Sequence, residues 1–416
     1  VFKKNAKSIT LSKEIKKLLN IKKDVVNGEE LTRAVLCMKV DMFFNGGVGT
    51  YVKASDENNS EIGDKPNEAV RINANELKAL VVCEGGNLGL TQKARIEYAK
   101  LGGKINMDSI DNSAGVNTSD MEVNLKIILN ALVSKESISE ENRLELLNSM
   151  IPNVEKSVLW TNYFQALSIS LDEERSRVDM KKFMQTINVL DDHVENFNRY
   201  DFDIPNGDEI HQIIGKNGAL IRPILSTLTS YTKIFVKTLL IEEHNFIASE
   251  YAMNYLYSYF PKTFTTIYKN EIEKHPLRYE IIATTIASRI INAQGVSFIS
   301  DYSELGQAKF LLKIKSFLLI NELYSANDIR FEIYRSDYQL PTKKQYDLLL
   351  NLGYSINFSI DWILEHGEYK VALQDHLSEY KNALASFLQN SEAEYIKNII
   401  PGNDRINRFF SMLDNI

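Results

Sequence analysis

With 416 residues, 44% of them hydrophobic and 25% charged, the chain is long enough for two or three domain cores and too apolar to be a disordered segment. Its 48 Lys+Arg against 55 Asp+Glu leave a formal charge of −7, opposite in sign to the basic footprint of a nucleic-acid binder, so no nucleic-acid partner is expected. Two cysteines, Cys37 and Cys83, exclude a disulfide scaffold, and Cys83 in the apolar run Leu80-Val-Val-Cys83 is expected to be a buried reduced thiol, which suits a reducing cytoplasm.

The Lys-rich start (Val1-Phe-Lys-Lys, then Ile15-Lys-Lys) lacks the apolar core of a secretory signal. No stretch is expected to reach the roughly 18 apolar residues of a membrane span, so a cytoplasmic protein with no membrane partner is the expectation. Residue 1 is Val, which leaves open a start inside a longer protein.

Three runs of strand length and β-rich composition follow: Val40-Asp-Met-Phe-Phe44, Leu80-Val-Val-Cys83 and Lys104-Ile-Asn-Met107. Each is expected to end in a small-residue, amide-rich loop: Asn45-Gly-Gly-Val-Gly-Thr-Tyr51, Glu84-Gly-Gly-Asn-Leu-Gly89 and Asp111-Asn-Ser-Ala-Gly-Val116. Parallel α/β sheets bind ligands outside the carboxyl ends of their strands, where glycines let a phosphate or sugar approach the backbone. Between the runs, Thr91 to Leu101 reads as a helix stopped by Gly102-Gly103. Met121, Leu125, Ile128, Leu129 and Leu132 then form one apolar helical face.

Near residue 138 the composition changes. Eleven of the 19 Gly lie at or before Gly115, whereas all six His come at His193 or later. Residues 1–138 are read as an α/β domain and 139–416 as a large all-α domain. The second has helical periodicity in Ile224–Tyr231, Tyr279–Ile291 and Phe310–Leu319, with prolines at 205, 223, 261, 276, 341 and 401 at helix starts or the turns before them. The run Tyr251-Ala-Met-Asn-Tyr-Leu-Tyr-Ser-Tyr-Phe260 has more apolar surface than a narrow stripe needs, and both internal packing and an exposed contact surface fit it.

The chemistry-bearing motifs are weak one by one. Gly47-Val-Gly49-Thr-Tyr-Val52 approaches a dinucleotide fingerprint but has Val at the third small position, so an ordinary strand-to-helix turn explains it as well. Ser119-Asp-Met-Glu122 matches a capping box, which would put a helix N-terminus, and its attraction for a carboxylate or phosphate, at Ser119. No metal-ligand spacing occurs, and His275 before Pro276 reads as a helix-start or surface histidine. A serine triad lacks support because the first half contains no histidine.

Together, Phe44-Asn-Gly-Gly-Val-Gly-Thr-Tyr-Val-Lys53, Ile62-Gly-Asp64, Glu84-Gly-Gly-Asn-Leu-Gly-Leu-Thr-Gln92 and Asp111-Asn-Ser-Ala-Gly115 resemble the large bacterial NAD-specific glutamate dehydrogenases. The resemblance continues in Arg222-Pro223 and His275-Pro-Leu-Arg-Tyr-Glu-Ile-Ile-Ala-Thr284, and so covers most of the chain. It implies the second half of a Rossmann-like parallel-sheet domain followed by a helical domain. It also implies NAD as cofactor and reversible oxidative deamination of L-glutamate to 2-oxoglutarate and ammonia. By position, Asn45, Gly46, Gly47, Gly85, Gly86 and Asn87 would line the dinucleotide. Asn112 would bond near the nicotinamide, and Val116 and Ser119 would face the side-chain carboxylate of glutamate. The family's catalytic lysine and aspartate lie upstream of these motifs, so the missing N-terminal portion of the same enzyme is the implied partner, within a homo-oligomer. The alternative is a non-catalytic assembly or regulatory fragment, or a split-gene remnant, of such an enzyme.

Overall fold

The structure, a computed structural model, describes residues 2, 3 and 5–366. The chain divides into two compact units between Thr232 and Lys233. It is mostly helical with small parallel sheets.

The first unit holds seven short strands: β1 Ile9–Thr10, β2 Val25–Val26, β3 Met42–Asn45, β4 Val52–Lys53, β5 Ile72–Asn73, β6 Val81–Glu84 and β7 Lys104–Ile105. The β1 and β2 strands form an antiparallel pair. The three predicted runs make one parallel sheet in the order β3-β6-β7, with Asn45 opposite Glu84 in register. A second parallel pair joins β4 to β5. Because strand side chains alternate, Asn45, Val82 and Glu84 are buried on one face, while Met42, Phe44 and Val81 on the other are exposed.

Helices of this unit are α1 Lys13–Leu19, α2 Gly28–Leu36, α3 Asn59–Ile62, α4 Gln92–Lys100, α5 Asp108–Asp111, α6 Ser113–Ser134, α7 Glu140–Val178, α8 Met180–His193 and the start of α9 Arg222–Glu242. Thr91 caps α4 by accepting from the Ala94 amide at 3.1 Å, and the helix stops at Leu101 before Gly102, whose φ is 107°. On α6 the residues buried are the predicted Met121, Leu125, Ile128, Leu129 and Leu132. A fully buried leucine such as Leu129 contributes roughly 1.5–3 kcal/mol, so this stripe fixes how α6 lies on α7. Residue 138 is in the short turn joining α6 to α7. Pro152 sits inside α7, where it removes one backbone donor.

One expectation is corrected by α9. Over 21 residues it is long and apolar enough to cross a membrane by length and composition. Ile224, Leu225, Leu228, Val236 and Leu240 are nevertheless fully buried within the protein, as in a core helix.

The second unit continues with α10 His244–Ile247, α11 Glu250–Tyr259, α12 Lys262–Ile267, α13 Lys269–Glu273, α14 Arg278–Gln294, α15 Tyr302–Leu323, α16 Ala326–Arg335 and α17 Thr342–His366. Pro223, Pro261, Pro276 and Pro341 stand at or just before helix starts as predicted, while Pro401 lies outside the described residues. Within the aromatic run, Tyr251, Ala252, Tyr255, Leu256 and Phe260 are buried, and α11 packs against α14. That run is therefore internal packing. His275 is buried, not at the surface, and its Nδ1 accepts from the Leu277 amide at 3.1 Å in the turn that starts α14.

Candidate functional site

Two glycine-rich loops leave the carboxyl ends of adjacent parallel strands, residues 45–51 from β3 and 84–89 from β6. The first is not a strand-to-helix turn, because it runs into β4 and no helix follows it. That removes the dinucleotide-fingerprint reading of Gly47 and Gly49, which requires a helix N-terminus after the turn. What the glycines provide is close approach. A Cβ on Gly86 would overlap the Gly47 carbonyl, and a Cβ on Gly49, whose φ is 117°, would overlap the Asn67 amide. A Cβ on Gly47 would meet only Tyr51 Oη, at 3.9 Å, an ordinary contact, and Gly47 is exposed.

Buried charges hold the loops from below. Glu84 is fully buried and accepts a bidentate pair from Arg95, Nε to Oε2 at 2.6 Å and Nη2 to Oε1 at 3.0 Å, plus the Leu90 amide at 3.1 Å. Desolvation works against the Arg95 charge, but the bonds to Glu84 and the carboxylates of Asp108 and Asp111 outweigh it and hold the guanidinium protonated. Asp108 accepts from the Leu88 amide at 2.8 Å and lies 3.4 Å from Arg95. Asp111 accepts from the Glu84 amide at 3.1 Å and from Asn106 at 2.8 Å, and Asn106 in turn accepts from Arg222 at 2.9 Å. Beneath the first loop, Arg71 donates to the carbonyls of Thr50 and Asp64 at 2.9 and 2.6 Å. Asp64 accepts from the Thr50 amide at 2.7 Å.

The residues assigned by resemblance fall in two groups. Asn45 is buried under the loops, with its Nδ2 donor unsatisfied. Gly46, Gly47, Gly85, Gly86 and Asn87 belong to the two loops. Asn112 reaches Asn87, donating from Nδ2 to Oδ1 at 2.5 Å. The expected third loop is largely absent, since Ser113 already begins α6. Ser119 is consequently not a cap. It lies in the second turn of α6 and donates to the Gly115 carbonyl at 3.2 Å, while Glu122 pairs with Lys126. The Ser-x-x-Glu pattern misleads here because Ser113 to Ser119 are already helical, and the cap is Asn112. Even so, Asn112, Val116 and Ser119 follow an i, i+4, i+7 spacing, and Val116 and Ser119 are exposed along one side of α6.

Several supporting residues escape sequence reasoning. Arg71, Thr50, Arg95 and Arg222 act through bonds to residues 11 to 116 positions away. From α7, Asn162 donates to the Asp111 carbonyl at 3.3 Å and Gln165 to Ser113 at 3.0 Å, which braces the residues on either side of Asn112. Burial first, then the Asp111 carboxylate, pushes the half-buried Cys83 thiol up to about 11, so it stays protonated near neutrality and is a poor nucleophile. Among the described residues no cluster of three or more His, Cys, Asp or Glu could hold a metal. The open side of the site offers backbone amides and carboxamide side chains, which suit a ligand rich in phosphate, sugar or amide groups.

A family model for the catalytic domain of bacterial NAD-glutamate dehydrogenase matches residues 1–172, and one for the glutamate dehydrogenase C-terminal region matches 217–400. The chain is 34% identical over 395 residues to a protein named NAD-specific glutamate dehydrogenase from Halomonas elongata, with 94% of this chain and 24% of that protein covered. Similar proteins of the same name come from Pseudomonas aeruginosa, 34% identical with 85% and 22% covered, and Mycobacterium tuberculosis, 29% identical with 95% and 24% covered. The chain thus spans about a quarter of the length of these curated relatives. Matched from residue 1 to residue 400 with one gap between the two models, the chain belongs to the bacterial NAD-glutamate dehydrogenase family.

Proposed function

We propose that this chain is a portion of an NAD-specific glutamate dehydrogenase and forms one wall of its dinucleotide crevice. The observation that carries the reading is the pair of glycine loops at the carboxyl ends of β3 and β6, with Asn87 and Asn112 joined beside them. The redox chemistry there would be that of bound NAD, which would take hydride from Cα of L-glutamate, with water then giving 2-oxoglutarate and ammonia. The residues fit one side of such a ligand. Gly47 is exposed, and the carboxamides of Asn87 and Asn112 match the donor and acceptor of a nicotinamide amide. Gly46, Gly47, Gly85, Gly86 and Asn87 would line the dinucleotide, with Asn45 buried beneath them, and Asn112 would orient the nicotinamide. Val116 and Ser119 would meet the substrate side-chain carboxylate, and the work of this chain is orientation.

In this reading β3-β6-β7 is the second half of a Rossmann-like sheet, and an upstream portion covers its bare face. Met42, Phe44 and Val81 are exposed there, and β3 is an edge strand among the described residues. Such an apolar face and unpaired edge are seldom left bare. Residues 1–138 would be catalytic-domain sequence and 139–416 the helical domain, in a cytoplasmic homo-oligomer. The test is NADH formation from glutamate. The full-length enzyme should turn over at the order of 10 per second, while this chain alone should show none. Turnover by the chain alone at that rate would mean that the groups assigned upstream are not needed.

A further inference from the structure

Leu88 has a left-handed backbone, with φ at 58°, although it is 64% exposed. A bulky residue in that conformation is strained and persists only where its surroundings hold it. Two groups do so here. Its amide donates to Asp108 Oδ2 at 2.8 Å, and its carbonyl accepts from Thr50 Oγ1 at 2.8 Å. Thr50 is itself fixed, since its amide donates to Asp64 and its carbonyl accepts from Arg71. The hydroxyl therefore passes the rigidity of the Arg71 and Asp64 clamp from one loop to the turn that carries Gly85, Gly86 and Asn87.

We propose that Thr50 is a positioning residue for dinucleotide binding. Its hydroxyl locks the Leu88 carbonyl, and with it the left-handed turn that presents Gly85 to Asn87, so that both loops meet the ligand as one preformed ledge. The proposal rests on the dinucleotide reading above and adds a residue outside the loop positions assigned by resemblance. Preformation matters because ordering a loop on binding subtracts from affinity.

Thr50→Val keeps the shape and deletes the donor, and Thr50→Ser keeps the donor. In this chain, amide exchange at residues 85–88 should rise roughly two- to tenfold in the Val variant, the equivalent of one lost neutral hydrogen bond, with the melting transition of the Ser variant unchanged. In the full-length enzyme, Kd for NAD measured by calorimetry should rise by a similar factor in the Val variant and stay within about twofold of wild type in the Ser variant. If Thr50→Val does not fold, Thr50→Ala takes its place with the same expectations. Unchanged exchange, equal weakening in both variants, or faster exchange with unchanged Kd would each overturn the proposal. A wild-type enzyme that fails to bind NAD would overturn the dinucleotide reading itself, and the exchange measurement, which needs no ligand, separates that failure from the absence of a brace.

Discussion

Asn112 donates its side-chain amide to the Asn87 carbonyl oxygen across 2.5 Å, linking the start of α6 to the loop after β6. Two carboxamides that satisfy each other here can exchange that bond for bonds to an amide-bearing ligand at little net cost, since each hydrogen bond contributes only the difference between partners. Replacing Asn112 by Ala should weaken NAD binding in the full-length enzyme roughly two- to tenfold while leaving the fold intact. Calorimetric titration with NAD checks this, and an unchanged Kd removes Asn112 from the site.

Ser119 separates substrate contact from helix stability. It lies inside α6, and its hydroxyl donates to the Gly115 carbonyl. Ser119→Asp should change the melting temperature little, because an acidic residue in the early turns of a helix suits the macrodipole. The new charge should nonetheless raise KM for glutamate in the full-length enzyme by repelling its side-chain carboxylate. Steady-state kinetics at varied glutamate decides, with an unchanged KM placing Ser119 outside the substrate site.

The Glu84 and Arg95 pair is expected to be structural at its core. Arg95→Met strands a fully buried carboxylate and should cost about 3–5 kcal/mol, against a total stability of roughly 5–15 kcal/mol for a typical protein. Burial pushes the Glu84 carboxyl up, and the loss of Arg95 removes its main opposing influence. A group with a raised folded-state pKa keeps its stabilisation below the unfolded value of 4.5 and loses it as pH rises through the folded one. The deficit of the variant should therefore shrink as pH falls toward 4.5 and grow toward neutrality. Urea denaturation across that range tests the sign, and a pH-independent deficit contradicts it.

Alkaline pH acts on Tyr98. Burial raises its phenol to about 12, and its Oη donates to the Ala79 carbonyl at 2.6 Å while Gly103 packs on the ring. Cys83 is raised from 9.0 to about 11. Both groups favour the protonated form in the folded state, so stability is present below their unfolded values of 9.0 and 10.0 and falls as pH climbs toward 11 and 12. Tyr98→Phe should lower stability near neutrality by about 1 kcal/mol yet show a shallower loss above pH 10. Melting curves from pH 8 to 11 reveal whether the two slopes differ.

How far the sequence carries depends on the range of the interaction. The strands β3, β6 and β7 are legible because apolar runs between glycine clusters need only local information, and the α6 stripe because its period is 3.6. The N-terminus of α6 is not, since Ser119-Asp-Met-Glu122 is an equally good cap or helix interior, and α6 begins at Ser113. Neither is the run 45–51 as a strand-to-strand connection, because its course is set by Arg71 and Asp64. Thr50, an ordinary residue in the sequence, acquires its place only through a bond to Leu88, 38 positions away.

Most direct for the crevice is hydrogen–deuterium exchange of the full-length enzyme with and without saturating NAD. The account predicts protection in residues 45–51 and 84–89 and around Asn112. Binding of NAD with unchanged exchange in both glycine loops would contradict it.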